Sequence, residues 1–234
     1  MFENRLKNTK NSLFLAKNTF FLDKRAKCCY YLLIMITKPE KNNFPYEIYC
    51  DMDGVLVDLF ENGIFPRAKD PKMLKNVKKV FKRRLDWTEP VKNRGIQAAI
   101  DWVKNLLSND YEFWASLKPL PGTFRLWRHL AFISTPKILS HPMDEECIEG
   151  KKYWIQKYLF PNPKKCDILL PLDGEKEKWA TDKNGKPCIL IDDFEIYTEA
   201  WEKSGGIAIL HTSVAKTIST LTKLEKDYYE RNGK

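Results

Sequence analysis

The 234-residue chain has no apolar run long enough to cross a bilayer. Its longest, residues 28–36, spans nine residues, whereas a spanning helix needs about 20. Lys24, Arg25 and Lys27 precede that run much as basic residues precede a signal peptide, but the small-residue cleavage site that export requires does not follow. None of the six cysteines has zinc-site spacing, and Cys28 and Cys29 are adjacent, which argues against a zinc site and a disulfide framework. Reduced thiols in a cytoplasmic protein are expected. Internal repeats and low-complexity tracts are absent too. What the chain does have is apolar and aromatic content sufficient for a packed core, 43% and 13% of residues, and a length that fits one domain with a sizeable insertion or two small ones.

Charge is unevenly placed. Residues 46–63 carry five acids and no base, while residues 1–45 hold nine Lys/Arg against three acids and residues 64–94 hold eleven against three. Two basic blocks therefore flank an acidic patch, within a net charge of +9. Basic blocks attract anionic partners at long range, although a lysine-rich helix face is as readily a solvated one.

Residues 1–44 lack periodicity and read as a weakly ordered extension, with Met35 a candidate start. Residues 46–50 read as a buried strand ending at Asp51. Residues 66–84 and 95–107 space apolar side chains at helical intervals. Beyond Pro121-Gly122, the pattern predicts a helix over 123–130, a strand over 131–133 and a helix over 144–159 capped by Asp144. It continues with strands over 166–170 and 188–191, a helix over 196–203, a strand over 207–210 and a final helix from Val214. Strands alternating with helices imply an α/β fold, a Rossmann-like parallel sheet with helices on both faces. The expected organisation is a Rossmann-like core over 45–59 and 119–234, interrupted after its first strand by a small helical cap over 60–118.

The chemistry lies at the strand ends. In open parallel sheets ligands bind outside the carboxyl ends of the strands, and Asp51-Met52-Asp53-Gly54 stands at such an end. Asp51 and Asp53 emerge together, and Gly54 permits the turn beyond them. Their repulsion would be relieved by a divalent cation, and an oxygen-only cluster suits Mg²⁺. A carboxylate attacking phosphorus gives an acyl-phosphate, and a second carboxyl group can protonate the leaving alcohol and activate water. One acidic strand end would be explained by turn capping. Asp192-Asp193 is a second, after Ile189-Leu190-Ile191. Between them Ser134-Thr135-Pro136 offers hydroxyls and amides to a phosphoryl oxygen, and Lys176 or Lys178 could neutralise its charge.

In that order, Asp51-x-Asp53, Ser134/Thr135, Lys176/Lys178 and Asp192-Asp193 resemble the four motifs of the haloacid dehalogenase superfamily. The resemblance implies that Asp51 is the nucleophile and Asp53 the general acid/base. It implies that Asp51, the Asp53 backbone carbonyl and Asp192 or Asp193 hold Mg²⁺, and that Ser134 and one lysine bind phosphate. Residues 51–58, the pattern Leu117-x-Pro119-Leu120-Pro121-Gly122, Ser134-Thr135-Pro136 and residues 189–193 are most similar to the 5′(3′)-deoxyribonucleotidase family. The chain departs from that family in its Ser-Thr order, in an insertion over 181–187, and in Leu59 where an aromatic residue packs on the base. Phe60, Trp87, Phe113 and Trp114 are the substitutes expected in the cap. The function expected is hydrolysis of (deoxy)nucleoside monophosphates. The alternatives are a phosphatase of nucleic-acid ends or sugar phosphates, suggested by the basic block over 72–84, or a non-catalytic nucleic-acid or membrane-surface binder.

Overall fold

The computed structural model describes residues 44–82 and 91–232. The expectations for the extension over 1–43, for the Met35 start and for Trp87 lie outside the described residues. Five short parallel strands form one sheet: β1 (Ile48–Cys50), β2 (Lys137–Leu139), β3 (Ile168–Leu169), β4 (Ile189–Asp192) and β5 (Ile207–Leu210). Their order across the sheet is β3-β2-β1-β4-β5, with Tyr49 opposite both Lys137 and Leu190. The strands alternate between two cores. Ile48, Cys50, Ile138, Ile189, Ile191 and Ile209 pack on one side, while Tyr49, Leu139 and Leu190 pack on the other with Trp201. A strand buried on both faces must be apolar at every position, which is why Ile-Leu-Ile reads as a run rather than an alternation. The architecture is the expected Rossmann-like α/β fold.

Between β1 and β2 the described residues are helical. After a π-helical turn at Phe60–Ile64 come α1 (Pro71–Lys82), α2 (Arg94–Leu107) and α3 (Tyr111–Ser116). The helices α4 (Thr123–Ile133), α5 (Glu145–Tyr158), α6 (Glu195–Lys203) and α7 (Val214–Arg231) connect or follow the strands. Asn93, Asp110, Asp144 and Ser213 cap α2, α3, α5 and α7 by accepting backbone N–H bonds, as N-cap side chains do. The chain leaves the core and re-enters it side by side. Asp58 N donates to Lys118 O at 2.8 Å and Leu120 N to Leu56 O at 2.9 Å, and the Thr123 hydroxyl donates to Leu56 O at 2.6 Å.

One expectation fails. Residues 131–133 are the last turn of α4, not a strand, because Leu126, Trp127, Leu130 and Ile133 continue one buried helical face. The true second strand begins four residues later, at Lys137.

Candidate active site

The sheet order reverses at β1, where one connection runs towards β2 and the next pair of strands lies on the other side. Open α/β sheets form their ligand crevice at such a point. Asp51 follows β1 directly and its amide donates to Ile191 O at 2.9 Å, so the two acidic strand ends are held in register. Asp51, Asp192 and Asp193 each offer a carboxylate oxygen within 4.8 Å of the others. Gly54 has φ +80°, and a Cβ there would stand 2.5 Å from Asp193 Cγ. Only glycine combines that backbone conformation with so close an approach, and it lets the β1 loop close on the β4 loop.

Two buried lysines face these acids. Lys176, in the 3₁₀ turn Lys176–Trp179, places Nζ 2.6 Å from Asp192 Oδ2 and 3.0 Å from Asp51 Oδ1. Its ammonium lies 4.4 Å from the centre of the Tyr197 ring. Lys178 points away. It is exposed and pairs with Asp173 and Glu175, each at 2.7 Å. Of the two lysines, then, the structure brings Lys176 to the crevice and leaves Lys178 in solvent.

The second buried lysine, Lys151, was not anticipated from sequence. Its Nζ donates to Asp53 Oδ2 at 2.6 Å and to Ser140 Oγ at 2.9 Å, and it sits 5.0 Å above the Trp114 ring. Gly150 makes this possible. A Cβ there would lie 2.5 Å from Trp114 Cβ and 2.8 Å from Tyr111 O, so α5 and α3 touch through a glycine. The sequence signal was a lysine at a core position: Cys147, Lys151, Trp154 and Ile155 form the buried stripe of α5.

Ser134 and Thr135 are not in the crevice. They precede β2, at the end of the sheet opposite Asp51, with Ser134 as the C-cap of α4. The hydroxyl that β2 carries into the crevice is Ser140, buried, whose amide donates to Leu169 O at 3.1 Å. Asp58 is buried outside the acidic cluster and caps the π-helical turn, accepting from Glu61 N at 2.9 Å and from the Asn62 side chain. Asp53 contributes its carboxylate to Lys151 rather than to the triad of Asp51, Asp192 and Asp193.

Electrostatics follow from burial. Desolvation raises the Asp53 carboxyl pKa against the opposing pull of Lys151, with Asp51 adding repulsion. Desolvation likewise pushes Asp192 up to about 6, opposed by Lys176 and assisted by Asp51. Burial alone would lower both lysines, but the facing carboxylates outweigh it and their pKa values rise. Lys176 thus faces Asp51 and Asp192, and Lys151 faces Asp53. Asp51 Oδ1 and Asp53 Oδ1 are buried without an aligned hydrogen-bond donor among the described residues, the 3.0 Å Lys176 contact being an ion pair only. An all-oxygen cluster with buried, unsatisfied oxygens fits a hard divalent cation.

The expected aromatic residues divide. Phe113 and Trp114 are buried, Trp114 donating through Nε1 to Leu107 O at 2.9 Å. Both belong to the main hydrophobic core, where Trp114 also packs against α5. Phe60 is half-buried, its ring 4.6 Å from that of Phe81. Among the described residues no helix is long and apolar enough to cross a membrane.

No protein-family model matches the chain, and no curated protein is detectably similar to it. Solved structures similar to it include haloacid dehalogenases and haloacid-dehalogenase-like hydrolases. L-2-haloacid dehalogenase from Xanthobacter autotrophicus is 12% identical, with 69% of this chain and 75% of that one covered, at a TM-score of 0.46. A haloacid dehalogenase-like hydrolase from Burkholderia xenovorans is 17% identical over 70% and 80%, at 0.40. A family enzyme from Bacteroides thetaiotaomicron, in complex with magnesium and inorganic phosphate, is 17% identical over 70% and 92%, at 0.38. At these scores the fold rests on this chain's own sheet order, and the chemistry on its own side chains.

Proposed function

We propose that the chain is a Mg²⁺-dependent phosphomonoesterase acting on nucleoside monophosphates, with Asp51 as nucleophile. The observation that carries this reading is the convergence of two acidic strand ends and two buried lysines on one crevice. A structural role explains a capped turn, but it does not explain four carboxylates gathered at one crevice, with burial opposing the ionisation of Asp53 and Asp192.

In this reading an Asp51 carboxylate oxygen attacks phosphorus, forming an acyl-phosphate as the ester P–O bond breaks. Asp53, its pKa raised by burial, gives its proton to the departing alcohol oxygen. It then takes a proton from water, which attacks the same phosphorus and releases inorganic phosphate and free Asp51. Lys176, Lys151 and the Ser140 hydroxyl are the groups able to hold the non-bridging oxygens. Asp51, Asp192 and Asp193, with the Asp53 carbonyl, would hold Mg²⁺, which supplies neutralisation of phosphoryl charge. Lys151 also keeps Asp53 turned towards the crevice, and the Trp114 ring and Gly150 keep Lys151 in place.

The nucleotide assignment rests on the resemblance of residues 51–58 and 117–122 to deoxyribonucleotidases. The insertion over 60–118 is the proposed substrate-selecting cap, and Phe60, half-buried, is the one of the expected aromatic residues among its described residues that keeps exposed surface for a base. The test is phosphate release from a panel of mononucleotides, sugar phosphates and a small aryl phosphate, with Mg²⁺ and after exhaustive chelation. Mg²⁺-dependent turnover that is fastest on mononucleotides is expected. Undiminished activity in chelator would overturn the metal, and preference for sugar phosphates would overturn the substrate.

A further inference from the structure

We propose that α1 is a docking surface for the phosphate backbone of a duplex nucleic acid. The helix carries Lys72, Lys75, Lys78, Lys79 and Lys82 and no acid. All five are exposed. At about 100° per residue, Lys72, Lys75, Lys79 and Lys82 fall within one narrow stripe, and successive members rise about 4.5–6 Å along the axis. That stripe lies opposite Val77 and Val80, which are buried in the core. Asn76, between the two faces, donates to Gly95 O at 3.2 Å and fixes α1 against α2.

The arrangement costs stability in the isolated chain. Lys75 with Lys79 and Lys78 with Lys82 are like-charge i,i+4 pairs, which weaken a helix, and Lys72 stands at the positive end of the helix dipole. A solvated helix face ordinarily mixes signs, yet the four stripe lysines make no ion pair among the described residues, and Lys78 makes its contact with the Phe65 ring at 5.0 Å. Among the described residues the helix therefore presents a row of cations without acidic partners. Neighbouring Asp70 accepts the Met73 amide at 2.8 Å and makes no ion pair with a stripe lysine among the described residues.

The chemistry of the stripe selects its partner. Four point charges without an aromatic residue among them suit phosphates and give no stacking platform for unpaired bases. A membrane-surface helix needs a free apolar face to insert, and the apolar face of α1 is already buried in the protein. A duplex, with a charge about every 1.7 Å, is the densest regular anion available to such a row. This inference does not depend on the phosphatase reading, since none of the stripe lysines belongs to the crevice.

The test compares the full chain with a variant carrying Lys72→Gln, Lys75→Gln, Lys79→Gln and Lys82→Gln, titrated against a fluorescent 20-base-pair duplex at 50 and 200 mM salt. Four released counterions correspond to a slope of about −3.6, so wild-type affinity should fall about 150-fold further than that of the variant across this range. The corresponding Lys→Arg variant should regain the wild-type slope. Hydrolysis of a small aryl phosphate should be unchanged in both. Equal salt slopes for wild type and the Gln variant would overturn the proposal, including the case in which residues 1–45 bind the duplex instead. Polyaspartate or anionic phosphatidylserine vesicles binding as tightly as the duplex would also overturn it.

Discussion

The crevice and the helix α1 handle charge in opposite ways. In the crevice, lysines are buried and each touches a carboxylate within 3.0 Å, as Lys176 does with Asp51 and Asp192 and Lys151 with Asp53. On α1, five lysines are exposed and none has an acidic partner among the described residues. Burial makes the first set strong and fragile, because removing one partner strands the other away from water. Exposure makes the second set individually weak, because water and salt screen each charge. A local chemistry needs the first kind, and a long-range attraction needs the second.

The comparison is broken most severely at Lys176. Lys176→Met keeps the volume of the buried stem but leaves Asp51 and Asp192 facing each other. Urea denaturation should reveal a loss of roughly 3–5 kcal/mol, and phosphatase activity should be lost with it. Stability within error of wild type would mean that Lys176 does not hold the crevice together. Two residues on, Lys178→Met should leave both the denaturation midpoint and turnover unchanged, since its partners are as exposed as it is.

Next in size is the contrast between two serines. Ser140→Ala should reduce kcat/KM by about 100-fold, the scale of removing one hydrogen-bond donor to a charged transition state. Ser134→Ala, at the far end of the sheet, should leave it within twofold. The reverse order, measured under steady-state conditions, would return the phosphate site to Ser134.

Gly150→Ala forces a methyl group against Trp114 and the α3 backbone, and overpacking of this kind costs about 1–3 kcal/mol. Because Lys151 follows directly, the variant should also lower kcat more than its loss of stability explains at 25 °C. A fully stable variant with wild-type kcat would show that the helices part without moving Lys151. The smallest effect belongs to α1. Lys75→Glu converts a like-charge pair with Lys79 into an attractive one and should raise the thermal midpoint by about 1–2 °C. A lowered midpoint would show that Lys75 has a structural partner.

How much of this was legible depended on local signals. The α/β alternation, the acidic ends of β1 and β4, and helices such as α2 and α5, the latter with its Asp144 cap, followed from periodicity and residue type. The second strand did not. Lys137–Leu139 is three residues long, shorter than any periodicity can register, and the short apolar segment 131–133 reads as a strand although Ile133 continues the buried helical face of Leu126 and Leu130. That displacement put the expected hydroxyls at Ser134 and Thr135, whereas the hydroxyl at the carboxyl end of β2 is Ser140. Lys151 was missed for a different reason. A lysine on a helix reads as solvated, and only its position within the Cys147–Trp154–Ile155 stripe marked it as buried. Lys176 and Lys178 could not be separated by sequence, because a single 3₁₀ turn sends one inward and the other out.

The central claim is that Asp51 becomes covalently phosphorylated during turnover. Enzyme mixed with Mg²⁺ and a mononucleotide, then quenched in acid within milliseconds and treated with borohydride, should carry a reduced aspartyl residue in the peptide containing residues 51–58. Mass spectrometry would place it at Asp51, and the Asp51→Asn variant, with turnover reduced by about a thousandfold or more, should carry none. Reduction at another aspartate, or an Asp51→Asn enzyme that turns over at the wild-type rate, would contradict the account.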